Sequence, residues 1–169
     1  MGTKEELLAD IMWDCLERLL SAAMLATTDV QDPQEKLGRL AALHAIAHAV
    51  RAKETAVVDN ELRALSPKVR RRIVRQRDAY EQLWAEVLAE GQDEGAFVAD
   101  EDGLARRALL EMCSGVARWY SPRGPLTLHE LGTRYAALVL RAVGAGPNPK
   151  QPDMERCRTI VRYTWGVKV

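Results

Sequence analysis

The chain has 169 residues, of which 47% are hydrophobic and 28% charged, a composition typical of a folded globular domain and too apolar for a disordered one. Its 24 basic and 24 acidic side chains give a formal net charge of zero, which argues against a stand-alone nucleic-acid binder. No apolar stretch reaches the roughly 18 residues of a membrane span, and the three cysteines (Cys15, Cys113 and Cys157) are far apart, so we expect a cytoplasmic domain with reduced thiols, no membrane contact and no cofactor.

The first half of the chain carries three helix signals in succession. Thr3 and Glu6 form a capping box ahead of apolar residues at helical spacing. Asp32, followed by proline, marks a second helix start, and the segment 40–50 (LAALHAIAHAV) has no charged residue apart from its histidines. A helix that is apolar all round is expected at the centre of the fold. A short helix over 57–64 is predicted to follow.

A fourth helix is predicted to open at Ser66 and to end in the sequence GQDEGAF. There Gly95 suits the left-handed position after the last turn, and Phe97 can fold back as its hydrophobic closure.

Two more helices are predicted in the second half. Asp100 or Asp102 is expected to cap the first of them, which runs to Tyr120, and a Pro/Gly turn separates it from a final helix opened by a capping box at Thr127. Strand signals are absent before the C-terminal tail. The predicted fold is therefore all-α, an antiparallel bundle of about six helices.

The composition changes after Gly144. The segment 144–152 (GAGPNPKQP) is typical of a linker, and residues 153–169 hold four basic side chains against two acidic ones and many β-branched or aromatic residues. We divide the chain into a helical domain over 1–144 and a linker with an irregular basic tail over 145–169.

Several of these features follow one another in a characteristic order along the chain. The segment 91–97 is followed by acidic residues at 100–102, by a helix ending in Trp119-Tyr120, by a Pro/Gly turn and by a capped last helix, while 4–8 (KEELL) opens the first helix. This arrangement resembles the C-terminal half of TetR-family transcriptional regulators over roughly residues 3–144. Residues 4–8 look like the start of the long helix that connects this half to the DNA-reading unit of the family.

The resemblance implies a function. In such proteins an N-terminal helix-turn-helix reads DNA, whereas the C-terminal domain dimerises and senses a ligand. We therefore interpret the chain as the sensor domain of a TetR-like repressor, a homodimer that binds a small apolar effector and contacts operator DNA only through a helix-turn-helix that this sequence lacks. The motif 117–120 (ARWY) is similar to that of family members that sense acyl-CoA compounds, so an acyl-CoA-type effector is implied.

Two histidines in the central helix are the first candidates for a site. His44 and His48 are four residues apart and share one helix face, a spacing that also suits a metal ion. Position 45 is alanine, so the HExxH glutamate is absent, and no third ligand is evident. A pocket or core role is favoured over a metal site. The predicted ligand pocket, with core packing as the alternative for each residue, consists of Met12, Cys15, His44, His48, Tyr80, Trp84, Met112 and Trp119.

A run of arginines forms the one concentrated positive charge in the sequence. Arg70, Arg71 and Arg72 are expected to lie on a solvated helix face, and the alternative is a phosphate anchor at the mouth of the cavity.

The last two predicted helices have wide apolar faces. Two such hairpins could meet about a two-fold axis as a four-helix bundle, unless both faces are used inside one subunit. The predicted dimer interface consists of Leu109, Gly115, Val116, Leu131, Tyr135 and Leu138.

No constellation of catalytic residues is evident, so the chain is not expected to be an enzyme. Two alternatives to the sensor stay open at this point. One is a stand-alone helical domain that binds a ligand or a protein and has no role on DNA. The other is a small helical metal protein or enzyme that uses His44 and His48.

Overall fold

A computed structural model describes residues 3–98 and 102–169, and every regular element within these two ranges is helical. The prediction of an all-α fold is confirmed. None of the helices in the described ranges combines the length and the apolarity that crossing a membrane requires. The α-helices are α1 (Lys4–Thr28), α2 (Pro33–Val50), α3 (Ala52–Asn60), α4 (Pro67–Asp93), α5 (Leu104–Ser114), α6 (Val116–Trp119), α7 (Leu128–Ala142) and α8 (Met154–Trp165).

Local sequence signals fix the starts of three helices. Thr3 at the start of α1 accepts a hydrogen bond from the Glu6 backbone at 3.1 Å, and the Glu6 carboxylate accepts one from the Thr3 backbone at 2.6 Å. Thr127 opens α7 with the same reciprocal capping box. Asp32 caps α2 by accepting a hydrogen bond from the Gln34 backbone at 3.0 Å. These predicted caps are confirmed.

The end of α4 also follows the sequence signal. Gly95 adopts a φ of 72°, the left-handed conformation that an L side chain disfavours. The backbone N–H groups of Ala96 and Phe97 donate to the carbonyl of Gly91, and the buried Phe97 ring lies directly over Gly91. The chain therefore turns sharply out of α4 and closes the last turn with an apolar side chain.

Two helix boundaries differ from the prediction. The third helix begins at Ala52 rather than near residue 57, and a 3-10 turn over Leu62–Ala64 replaces its predicted end. Gly103, with a φ of 65°, precedes α5, so Asp102 is not its cap, while Asp100 lies outside the described residues. The chain also breaks at Gly115, which separates α5 from the single turn of α6.

Helix α2 is the centre of the fold, as its composition predicts. Every residue from Leu37 to His48 is buried. It packs against α1, α4, α5, α7 and α8, most extensively against α7. Gly132 of α7 permits this close packing, because a Cβ atom there would lie 2.8 Å from Cδ1 of Ile46. This glycine therefore serves packing within the subunit.

The prediction of an irregular C-terminal tail is wrong for Met154–Trp165, which forms α8 and packs against α1 and α2. Asp153 caps this helix by accepting a hydrogen bond from the Arg156 backbone at 3.0 Å. Its buried side chains are Cys157, Ile160, Val161 and Trp165. β-branched and aromatic residues have modest helix propensity, but burial of one helix face outweighs that preference.

The three cysteines are buried and unpaired. Burial raises the pKa of each thiol to about 12, so Cys15, Cys113 and Cys157 carry their protons.

Candidate functional site

A cavity of about 60 Å³ lies among α1, α2, α3, α4 and α5. Its apolar wall consists of Cys15, Leu16, Leu19, Val58 and Leu110. Its polar and charged wall consists of His44, His48, Thr55, Asp59, Arg77, Tyr80, Glu81, Glu111 and Ser114. With five apolar and nine polar or charged residues, the lining combines an apolar side with more polar groups than a small-molecule site usually has.

The two histidines stand one above the other on α2. Both side chains are almost fully buried, with 4% of His44 and 3% of His48 exposed. Their rings are stacked, with centroids 4.1 Å apart and planes inclined by 15°. Residues four apart on a helix share a face, so the HAIAH spacing produces this stack directly.

Both ring nitrogens of His44 have partners. Nδ1 lies 2.6 Å from the hydroxyl of Tyr80 on α4, and Nε2 lies 2.9 Å from the hydroxyl of Ser114 on α5. Burial raises the pKa of Tyr80, so its phenol keeps its proton. In a neutral imidazole one nitrogen donates and the other accepts, and the hydroxyls of Tyr80 and Ser114 can each take either role. Burial and the neighbouring His48 lower the pKa of His44 well below its usual value, and its ring is neutral.

His48 has a different environment. Its Nδ1 atom is 2.9 Å from the backbone carbonyl of His44, which can only accept, so Nδ1 carries the proton. Burial lowers the pKa of His48 to about 4, and the ring is neutral at pH 7. Its Nε2 atom is therefore a hydrogen-bond acceptor, and it lies 3.9 Å from Oδ2 of Asp59 on α3.

Charged side chains surround this part of the cavity. Arg77 pairs with Glu81 one turn later on α4, with Nε and Oε1 3.1 Å apart. Asp59 and Glu111 add two further carboxylates from α3 and α5. Partial burial raises the pKa of Asp59. The lining thus holds three acidic groups and one basic group.

Four of the eight predicted pocket residues line the cavity, namely Cys15, His44, His48 and Tyr80. Two others, Met12 and Trp84, are fully buried, and the Trp84 ring meets the His44 ring edge-on with centroids 5.8 Å apart. The remaining two are not among the lining residues. Met112 is partly buried against the core, and Trp119 is 52% exposed and stacks on Tyr135.

The sequence did not predict that α3 and Ser114 of α5 contribute to the lining of the cavity. Thr55 and Asp59 lie one turn apart on α3, where the prediction began the helix too late. Ser114 is the last residue of α5, and its contact with His44 joins residues 70 positions apart. Arg77 and Glu81 were detectable from helical spacing. Arg77 lies one turn before Tyr80, and Glu81 lies one turn after Arg77.

Most of the chain matches a known protein family. The family model described as Tetracyclin repressor-like, C-terminal domain, matches residues 30–143. The chain belongs to this family. The match includes α2 to α7, and thus the histidine pair together with the α3, α4 and α5 walls of the cavity.

Individual TetR-family proteins are similar over most of the chain. The HTH-type transcriptional repressor KstR2 of Mycolicibacterium smegmatis is 29% identical over 145 residues, which make up 83% of this chain and 70% of that protein. A tetR-family regulatory protein from Rhodococcus has a TM-score of 0.77 and 26% identity, covering 85% of this chain and 76% of that one. The TetR-family regulator PfmR from Thermus thermophilus has a TM-score of 0.74 and 32% identity, covering 83% of this chain and 76% of that one. The chain is thus a regulator of the TetR family and not an enzyme.

The three arginines considered as a phosphate anchor are not among the residues that line the cavity of this TetR-family domain. The guanidinium of Arg72 instead lies 4.3 Å from the ring centre of Trp13 on α1, a cation–π contact. Arg71 is exposed, and Arg70 is partly buried.

Five of the six residues predicted to form the TetR-like dimer interface are buried inside the subunit. They are Leu109, Gly115, Val116, Leu131 and Tyr135. Leu138 is 43% exposed on α7. Further large apolar side chains are exposed on the same part of the chain, Leu104 at 67% and Trp119 at 52%.

A second cavity of about 270 Å³ lies on the other side of Cys15. It is lined by Ile11, Asp14, Cys15, Arg18, Arg51, Glu54 and Trp165. Because α1 contributes Cys15 to both cavities, this helix forms part of the boundary between them.

The described residues hold no group of three His, Cys, Asp or Glu side chains that could bind a metal ion. Both ring nitrogens of His44 and Nδ1 of His48 already have hydrogen-bond partners. Three of the four ring nitrogens are thus already hydrogen-bonded, which disfavours the alternative of a metal site on the two histidines.

Proposed function

We propose that this chain is the effector-sensing and dimerising part of a TetR-like transcriptional repressor, and that the histidine-walled cavity receives a small apolar effector. The observation that supports this most directly is the cavity itself. Five helices line it, with apolar side chains on one wall and the neutral histidine pair among the polar groups of the other. Operator DNA would be contacted through a helix-turn-helix domain joined to this sensor.

The size of the cavity suggests how the effector would act. About 60 Å³ accommodates a few water molecules, whereas sites for drug-sized ligands measure roughly 300–1,000 Å³. Binding would therefore displace the walls, and α1 is the wall with the second cavity behind it. A displacement of α1 that changes the spacing of two DNA-reading domains, with a coupling of about 1–3 kcal/mol, would alter operator affinity about 5- to 150-fold.

Acyl-CoA compounds are the first effector class to test. The acyl part would enter the cavity beside Leu16, Leu19 and Val58. Arg77 is the basic side chain of the lining, so we propose it, rather than Arg70, Arg71 and Arg72, as the neighbour of the polar part of the ligand.

Calorimetric titration of fatty acyl-CoA thioesters of increasing chain length tests the proposal. Val58→Phe introduces a ring into the cavity and is expected to abolish binding, whereas Val98→Phe changes an exposed residue outside the lining and should leave it intact. Hydrogen exchange along Lys4–Thr28 should change when ligand binds. Equal affinity of the Val58→Phe variant and the wild type would contradict the proposed site.

The dimer is a separate part of the proposal. We propose that the exposed apolar side chains Leu104, Trp119 and Leu138 contact a second copy, which would remove their apolar surface from water. Sedimentation should give a dimer for the wild type and for Tyr163→Glu, whose side chain is 80% exposed on α8. Leu138→Glu should give a monomer. A monomeric wild type at micromolar concentration would refute the dimer.

A further inference from the structure

One acceptor in the wall of the cavity belongs to the histidine pair and receives no hydrogen bond from the described residues. This atom is Nε2 of His48, whose other ring nitrogen donates to the backbone of α2. The side chain is 3% exposed, and Nε2 does not belong to the fully enclosed polar atoms that lack a partner, so this atom can be reached from the cavity. Water can donate to such an acceptor while the cavity is empty, whereas a ligand that displaces the water without donating a hydrogen bond leaves the acceptor unsatisfied.

The neighbouring groups cannot supply the missing donor. His44 uses both of its nitrogens for Tyr80 and Ser114. The hydroxyl of Thr55 donates to the backbone carbonyls of Arg51 and Ala52, at 3.0 and 3.2 Å.

Asp59 is the nearest charged group to Nε2, and it is a second acceptor. Its Oδ2 atom lies 3.9 Å from Nε2, beyond hydrogen-bond distance but close enough for one small group to contact both atoms. Nε of Arg77 pairs with Oε1 of Glu81, the described residues show no hydrogen bond from Arg77 to His48, and Glu111 adds another carboxylate to the lining. Two acceptors that face each other in a largely acidic lining fit a ligand group that donates hydrogen bonds.

We propose that the effector presents a hydrogen-bond donor, a hydroxyl or an ammonium group, to Nε2 of His48 and Oδ2 of Asp59 at one end of its apolar part. This inference rests on the proposed function of the cavity and specifies the chemistry of its ligand. An acyl chain or ring without a donor would leave Nε2 unpartnered, so the site would discriminate against it. A donor that forms the hydrogen bond would be preferred about tenfold or more.

The test compares three ligands that share an unbranched octyl chain, namely octanol, octylamine and octyl methyl ether, of which the ether has no donor. We expect octanol or octylamine to bind the wild type at least about tenfold more tightly than the ether. The variant His48→Phe keeps an aromatic ring but removes the acceptor. In this variant the ratio of the two affinities should fall to about one. His129→Phe, at an exposed position on α7, is the matched control and should retain the preference.

Asp59→Asn distinguishes the two donors. If the group is an ammonium, this variant should lose the advantage of octylamine over octanol, and if it is a hydroxyl, the order of the ligands should not change. The nitrogen NMR signal of His48 Nε2 in the wild type should shift on addition of the donor ligand and not of the ether, a readout that does not depend on the folding of a variant. Equal binding of ether and alcohol by the wild type, or a preference that survives in His48→Phe, would overturn the inference. If Val58→Phe still blocked all three ligands, the cavity would remain the effector site and only the donor requirement would fail.

Discussion

The ring of His44 lies flat against the ring of His48, with centroids 4.1 Å apart, and neither ring is charged at pH 7. Each imidazolium would be desolvated, and two of them would repel each other at this distance. The stack is therefore stable only in its neutral form. Protonation of either ring opposes the packing of α2 against α3, α4 and α5.

This pair predicts a loss of stability in acid. The pKa of His48 falls to about 4 in the folded chain, and that of His44 is also lowered, against about 6.5 in an unfolded chain. Between these values the unfolded state binds more protons, so the free energy of unfolding rises with pH and levels off above about 6.5. Each histidine contributes a slope of about 1.4 kcal/mol per pH unit.

Urea unfolding between about pH 5 and pH 7 measures this slope. His48→Gln should reduce it, and His129→Gln should not, because His129 is exposed. Burial raises the pKa of Asp59, so its titration reduces the slope at the acid end of this pH range. Asp59 is present in all three proteins, so it does not affect the comparison between them. A slope that is identical in His48→Gln and the wild type would contradict the neutral stack.

The features that could be predicted from the sequence are those with a local cause. Capping boxes at Thr3 and Thr127 involve residues three positions apart, and both form as predicted. The central position of α2 follows from its lack of charged residues. The histidine pair follows from helical spacing alone.

The features that could not be predicted depend on contacts between distant segments. Ser114 meets His44 because α5 packs against α2, and Asp59 meets His48 because α3 packs beside α2. The C-terminal helix is a second example. Its sequence favours no strong secondary structure, and burial against α1 and α2 decides its conformation.

The close packing of α7 on α2 is tested by a double-mutant cycle. Gly132→Ala places a methyl group 2.8 Å from Cδ1 of the fully buried Ile46. Overpacking costs about 1–3 kcal/mol, and the better helix propensity of alanine returns about 1 kcal/mol of that. Ile46→Val removes Cδ1, so the double variant should be at least about 0.5 kcal/mol more stable than the sum of the two single changes indicates. Additive effects in urea unfolding would show that the two residues do not limit this packing.

The docking of α8 is tested by two substitutions on opposite faces. Ile160 is 1% exposed and Tyr163 is 80% exposed, although both belong to the same helix. Ile160→Ala should reduce the free energy of unfolding by about 2–5 kcal/mol, because it leaves a cavity against α1 and α2. Tyr163→Ala should change it by no more than about 0.5 kcal/mol. Similar small effects at both positions in thermal or urea unfolding would indicate that the segment is not docked.

A network around Arg39 joins α1, α2 and α8. The buried guanidinium pairs with Glu35 at 2.7 Å and with Asp29 at 2.8 Å. Glu35 also accepts a hydrogen bond from the Asp153 backbone, and Asp29 forms an ion pair with Arg156 at 3.1 Å. Removal of this one cation therefore leaves two carboxylates without their common partner at the point where α8 begins.

We expect Arg39→Met to reduce the free energy of unfolding by about 2 kcal/mol. Breaking a fully buried ion pair costs roughly 3–5 kcal/mol, and the effect is smaller here because Asp29 is half exposed. Arg158→Met is the matched control. It breaks an exposed pair with Glu155 within α8 and should cost no more than about 0.5 kcal/mol. Since Glu35 also holds the start of α8, hydrogen exchange over Met154–Trp165 should accelerate in Arg39→Met and not in Arg158→Met. Equal protection of α8 in both variants would mean that this helix is held by its apolar face alone.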